Sequence, residues 1–228
     1  MKLCVFSDIH GNGIAFHEAY KKIISEKVDI NIFLGDLCGY YFDQKEIFLM
    51  LQTIPDLIAL KGNHDEMFCR IYKGDEALRQ EYLIKYGPSM ELLIKQDVNE
   101  MVKWLDTLKY SHTIHELGLY ICHGSPWSEL WEYIYPDSSL DKFLNHQKSS
   151  FILGHTHYSM IKTVGDKLIM NPGSIGQPRG DRWPTYALIE FPSRKVVFRD
   201  IHYCKEKLIK QIDQLNCENK YLKEVLCR

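Results

Sequence analysis

Short apolar runs that stop at glycine or polar turns recur along the chain: LCVFSDIHG, INIFLGDL, LIALKGNHD, LYICHGSP and FILGHTH. Runs of this length suit strands buried on both faces. Between the first three lie segments of helical period. Phe16, Ala19, Tyr20, Ile23 and Ile24 form one stripe, and residues 46–54 carry a shorter one. The order predicts a β-α-β-α-β unit with parallel strands. Right-handed crossovers then put the carboxyl ends of those strands on one edge, where open α/β sheets take their ligands.

Beyond Asp65 a longer helical stretch runs to about Lys109, interrupted at Gly87-Pro88 with Ser89 as a candidate N-cap, and reads as a covering insertion over about 67–109. From Lys162 to Tyr203 the pattern becomes KTVGDKLIMN and TYALIEFPSRKVVFRDIHY, with turns at Val164-Gly165-Asp166 and Pro192-Ser193. This predicts a mostly antiparallel second sheet whose inner face packs on the first. The segment 205–227 reads as an amphipathic helix, with Leu208, Leu215 and Leu222 at seven-residue spacing. Such a run is short for a coiled coil, so packing on its own domain is favoured over a homodimer seam. The expected architecture is a single α/β domain over residues 1–228.

Composition narrows the functional classes. With 228 residues, 45% hydrophobic and 25% charged, the chain is long enough to bury its own core. A formal charge of −2 gives no broad case for a nucleic-acid coat or an anionic membrane surface. Seven cysteines, at 4, 38, 69, 122, 204, 217 and 227, form no C-x-x-C pair and several sit in apolar runs, which suits reduced, mostly buried thiols. No stretch of about 18 apolar residues occurs, and the run after Met1 is too short for a signal peptide. A cytoplasmic location is therefore expected, with no membrane partner.

The polar clusters at the run ends carry the candidate chemistry. In SDIHG, Asp8 and His10 alternate and can face the same side; alone, Asp8 reads more readily as a turn or cap. Asp36 follows a glycine in FLGDL, Asn63 and His64 follow Gly62 in KGNHDE, His123 follows an apolar run in YICHGSP, and His155 and His157 flank Thr156 in GHTH. Each has an ordinary reading as a cap, turn or rim residue. Five such groups at one topological edge point instead to a shared site.

In this order and spacing, D-x-H, G-D, G-N-H-D, H-G and G-H-T-H resemble the signature of the calcineurin-like metallophosphoesterases, over about residues 1–190, and more closely their compact prokaryotic phosphodiesterase and phosphatase branch. The resemblance implies a two-sheet β-sandwich flanked by helices, with two divalent ions at the strand ends: Mn first, with Fe, Zn, Ni or Co as alternatives. It implies that Asp8, His10 and His157 bind one ion, that Asn63, His123 and His155 bind the other, and that Asp36 bridges them. His64 would stabilise or protonate the departing oxygen. Oxygen and imidazole ligands without thiolate suit such ions.

Two further features bear on substrate. Asn12 follows the first motif, and NPGSIGQPRG places Arg179 in a turn-rich segment; both are candidate substrate-binding residues, with a surface-loop role the alternative for Arg179. Trp127, Trp131 and Tyr133 in PWSELWEY read as helix core in preference to a nucleobase wall. After Asp36 the chain has LCGYY where the protein-phosphatase branch has Asp-Arg-Gly, which weighs against phosphoprotein substrates. The expected function is a dinuclear metal-dependent phosphoesterase that hydrolyses small phosphodiester or nucleotide-type substrates by a metal-activated water. Alternatives are a dinucleoside polyphosphate hydrolase and a metal-bound binding or regulatory module. A nuclease is disfavoured because no basic stripe is interleaved with stacking aromatics.

Overall fold

The computed structural model describes residues 1–180, 183–215 and 220–227. The first half alternates as the pattern predicts: β1 (Lys2–Phe6), α1 (Gly13–Ser25), β2 (Ile30–Phe33), α2 (Gln44–Leu51) and β3 (Leu57–Ala59). Helices α3 (Asn63–Tyr72), α4 (Glu76–Tyr86), α5 (Ser89–Ile94) and α6 (Asn99–Thr107) follow, then β4 (Ser111–Ile114), β5 (Leu119–Cys122), α7 (Asp141–Leu144) and β6 (Ser150–Ile152). Two hairpins, β7 (Ser159–Val164) with β8 (Lys167–Pro172) and β9 (Thr185–Glu190) with β10 (Lys195–Asp200), lead to α8 (Lys205–Gln214) and α9 (Tyr221–Glu224).

Among the described residues the strands form two five-stranded sheets, ordered β10-β9-β1-β2-β3 and β4-β5-β6-β8-β7. β1, β2 and β3 run parallel, as do β5, β6 and β8, while the hairpin strands pair antiparallel at the edges. The period-two rule assigns the faces. On β1, Leu3 and Val5 join Ile121, Ile152 and Met170 of the opposite sheet in the core between the sheets, while Cys4 and Phe6 turn outward onto Phe16, Ala19 and Ile23 of α1. On the far side of the second sheet, Phe151 and Ile169 pack on Phe143 of α7. The layers are helices, sheet, sheet, helix.

Three expectations are corrected. Residues 162–203 do not make a sheet of their own: β9 and β10 pair onto β1, and only β7 and β8 join β4, β5 and β6. Alternation cannot reveal this, because a hairpin with one apolar face fits either half of a sandwich. Ser89 is the first residue of α5, with Pro88 at the N-cap position. The single helix over 205–227 is instead α8, which ends at Gln214, and the short α9; residues 216–219 of that stretch, Cys217 included, lie outside the described residues. Leu208, Ile212 and Leu222 are buried against Tyr40 and Tyr41 of the same chain. Cys4, Cys38, Cys69 and Cys122 are free and buried, and Cys204 is free and exposed. Among the described residues no helix is long and apolar enough to cross a membrane.

Candidate metal centre and the cavity above it

Five of the six parallel strands are followed within a few residues by a candidate ligand: Asp8 and His10 after β1, Asp36 after β2, Asn63 at the start of α3 after β3, His123 after β5, and His155 and His157 after β6. The backbone there is unusual. Asp8, His10, Asp36, His155 and His157 all have positive φ, between 51° and 66°, a region costing an L-residue roughly 1–2 kcal/mol. A strand would send neighbouring side chains to opposite faces; the left-handed kinks turn them to one point. Such local strain clusters at functional sites.

The kinked loops are braced by a residue the sequence reading passed over. Asp65 is buried, and its carboxylate accepts N–H bonds from Asp36 (2.8 Å), Cys38 (2.9 Å) and Gly62 (3.0 Å), tying the loop after β2 to the start of α3. Burial and the nearby Asp36 push its carboxyl upward, against these three donors, which favour the anion. Gly62 is required by proximity: a methyl group there would sit inside contact distance of the Asp36 carboxylate.

The seven candidate ligands converge. His157 Nε2 is 3.0 Å from His10 Nε2 and 3.4 Å from Asp8 Oδ1. His123 Nε2 is 3.0 Å from Asn63 Oδ1. Asp36 Oδ2 lies between the two groups, 3.6 Å from His10 Nε2 and 3.4 Å from His123 Nε2. Asp36, His123 and His155 bring their ligating atoms within 4.8 Å of one another. Ligands around a divalent ion with bonds of about 2.1 Å are spaced about 3.0–3.4 Å apart, so the groups are set for cations.

The hydrogen bonds support this fit. His10 Nδ1 donates to the Cys38 carbonyl (2.9 Å), His123 Nδ1 to that of Leu34 (2.9 Å) and His157 Nδ1 to that of Gln177 (2.8 Å). A carbonyl only accepts, so each ring, when neutral, presents its Nε2 lone pair inward. The 3.0 Å approach of His10 and His157 thus sets lone pair against lone pair, which a shared cation resolves. Both Asp8 carboxylate oxygens, Asp36 Oδ2 and His155 Nε2 are buried without hydrogen-bond partners among the described residues. Unpaired buried acceptors are costly, and a divalent ion would satisfy them.

Charge follows the same plan. Burial lowers His10 to about 4 and His155 to about 3, keeping both lone pairs free at neutral pH. Burial also works on His123, but Asp36 and Asp8 outweigh it and lift that ring to about 9; a proton there occupies the place a cation would take. Although burial opposes it, the histidines hold Asp8 and Asp36 below the usual carboxylate range.

Above the centre opens a cavity of about 340 Å³. Asp36, His64, His155 and His157 form its floor, and Tyr40, Tyr86, Tyr133, Tyr135, Tyr158 and Tyr221 its walls, with Lys85 and Arg179 as the cations facing it. Arg179 Nη2 donates to Gln177 Oε1 (2.9 Å), while Nη1 is buried with no partner among the described residues. Asn12 does not face the cavity. It caps α1, accepting from Ala15 N (3.0 Å) and donating to the Gly176 carbonyl (2.9 Å), and is fully buried, so its substrate-binding assignment is withdrawn. The core reading of PWSELWEY is also corrected. This segment is irregular, and Trp127, Trp131 and Tyr133 are 44%, 49% and 49% exposed. Tyr133 stacks on His155 with ring centroids 3.8 Å apart, and Tyr135 stacks on Tyr133 at 5.5 Å. The tyrosine wall gave no signal beyond its aromatic content, because its members come from five separated segments.

Residues 1–194 match the family model of the calcineurin-like phosphoesterase superfamily domain, and the chain belongs to that superfamily. Its relatives include the uncharacterized protein MJ0912 of Methanocaldococcus jannaschii, 28% identical over 232 residues that span 91% of this chain and 92% of that protein. Among solved structures, a metallophosphoesterase from Sphaerobacter thermophilus superposes with a TM-score of 0.79 at 23% identity over 99% of both chains. The hypothetical protein PH1004 from Pyrococcus horikoshii OT3 gives 0.82 at 19% identity over 98% of this chain and 97% of the other. At these identities the two structures establish the shared fold: two mixed sheets flanked by helices.

Proposed function

We propose that the chain is a dinuclear metal-dependent hydrolase of small phosphodiester or nucleotide-type esters. Asp8, His10 and His157 would hold one divalent ion, Asn63, His123 and His155 the other, and Asp36 both. The observation that carries this reading is the placement of Asp36 Oδ2, which lacks a donor and lies 3.6 Å from a ligand of one group and 3.4 Å from a ligand of the other. Bound there, divalent ions supply Lewis acidity toward phosphoryl oxygens and acidify water.

The chain's own residues do the rest. Lys85 and Arg179 draw the anionic ester into the cavity, and the unpaired edge of Arg179 is oriented by Gln177 to take a phosphoryl oxygen. The tyrosine walls exclude water and accept a flat or sugar-like substituent. His64 lines the floor beside them and is the candidate partner of the leaving oxygen. A cavity of about 340 Å³ is at the small end for ligand sites, which favours a small ester over a dinucleoside polyphosphate.

The test is hydrolysis of aryl phosphodiester, aryl phosphomonoester and nucleotide substrates by purified protein with and without Mn²⁺. The reading predicts metal-dependent release, fastest from the diesters. No metal-stimulated release from any of them would favour a binding module. Two variants separate the roles. His64→Ala is expected to lower kcat by about 10²–10³-fold with metal content unchanged by elemental analysis; loss of the metal would contradict the role. Arg179→Ala is expected to raise KM by about tenfold or more, the scale of one charge-assisted contact, and Arg179→Lys to recover only part of it. An unchanged KM in Arg179→Ala would place the guanidinium outside the substrate site.

A further inference from the structure

The histidines of the centre do not share one hydrogen-bonding pattern. His10, His123 and His157 each turn Nδ1 toward a backbone carbonyl, which only accepts, and so point a lone pair inward. His64 turns Nδ1 toward the hydroxyl of Tyr82, 2.9 Å away, and a hydroxyl can donate. Tyr82 belongs to α4 and is almost fully buried. Burial keeps the phenol protonated, and His64 Nδ1 is the hydrogen-bond partner that its hydroxyl meets. The pair is closely packed: a methyl group on Gly39 would come within 2.8 Å of His64 Nδ1 and 2.9 Å of the Tyr82 oxygen. Tyr40 and Tyr86, each with its centroid 5.1 Å from that of His64, hold the ring on its other sides.

We propose that Tyr82 is the positioning residue of His64: by donating its hydroxyl to Nδ1 it selects the tautomer that carries its proton on Nε2, directed into the cavity toward the oxygen leaving phosphorus. This deepens the phosphoesterase reading and rests on it for the identity of that oxygen. It also separates His64 from the metal ligands. A His64 ring nitrogen comes within 4.8 Å of ligating atoms of His10 and Asp36, but a nitrogen that carries a proton cannot ligate. The segment between β3 and β4 is then part of the catalytic unit.

The tautomer can be read without turnover. In zinc-loaded wild-type protein, the ring nitrogen-15 shifts of His64 are expected to show a protonated Nε2 and a bare, hydrogen-bonded Nδ1. A protonated Nδ1, or a zinc-bound Nε2, overturns the proposal. Kinetically, Tyr82→Phe is expected to lower kcat by about tenfold on an alkyl phosphodiester, whose leaving group needs a donor, and by less than about twofold on a nitrophenyl ester, whose leaving group does not. In a His64→Ala background the same substitution should add nothing. An equal fall on both substrates, a full additional fall without His64, or loss of metal would assign Tyr82 a merely structural role. If wild-type protein hydrolyses neither ester, the phosphoesterase reading fails, while the nitrogen shifts still decide the tautomer.

Discussion

Asp36→Asn is expected to abolish metal-dependent activity while leaving the metal-free fold at least as stable as the wild type. The two effects have opposite signs for one reason. Asp36 Oδ1 is held by the His64 backbone N–H at 2.8 Å, so an asparagine oxygen takes that position and its amide nitrogen falls where Oδ2 lay. There it meets His10 Nε2 and His123 Nε2, 3.6 and 3.4 Å from Oδ2; with the carboxylate gone His123 is no longer lifted by it, and its lone pair, like that of His10, can accept from the amide. The centre becomes self-satisfied and loses one negative charge. Metal affinity should fall by more than about 100-fold, the upper end for removing groups that merely support a ligand. In thermal melts, metal at about 100 times its dissociation constant stabilises the wild type by about 2.7 kcal/mol, which is roughly 5–10 °C in a chain of this size; the variant should show no metal-induced shift. A full shift with normal turnover would exclude Asp36 from the bridge.

Asp65→Ala is expected to be the most destabilising polar substitution near the site, at about 4 kcal/mol in urea unfolding of the metal-free protein, because three buried N–H groups lose their acceptor together. Those donors belong to Asp36, Cys38 and Gly62, so the damage reaches the metal centre through the backbone that aims Asp36. Asp65→Asn keeps one oxygen, which can serve Asp36 and Gly62 while its amide group opposes the Cys38 N–H; about half the loss should remain. A cost below about 1 kcal/mol for the alanine variant would mean that the loops hold their shape without this brace.

The contrast between these two aspartates shows what the sequence could reveal. Asp36, Asn63, His123, His155 and His157 were legible because each interrupts or ends an apolar run where a parallel strand must stop, and topology brings such ends together. Asp65 sits in the same GNHDE stretch, yet its role lies in N–H bonds to a loop 27–29 residues away, which no local pattern encodes. The β9–β10 hairpin was read as a hairpin but put in the wrong sheet, since partner choice depends on how the sandwich closes. Tyr133 was read as core because aromatic spacing cannot distinguish a helix stripe from an irregular segment that folds over His155. Tyr82 was hidden for a similar reason: its hydroxyl matters only once α4 has docked. What departs from local rules is concentrated at the site, as expected where strain and unpaired acceptors are held for function.

The most direct test is anomalous diffraction from crystals of the Mn²⁺-loaded protein. Two peaks are predicted, about 3.5–4 Å apart, on either side of the Asp36 carboxylate, one against Asp8, His10 and His157 and the other against Asn63, His123 and His155. A single peak, or ions bound away from Asp36 at saturating metal, would contradict the two-ion centre.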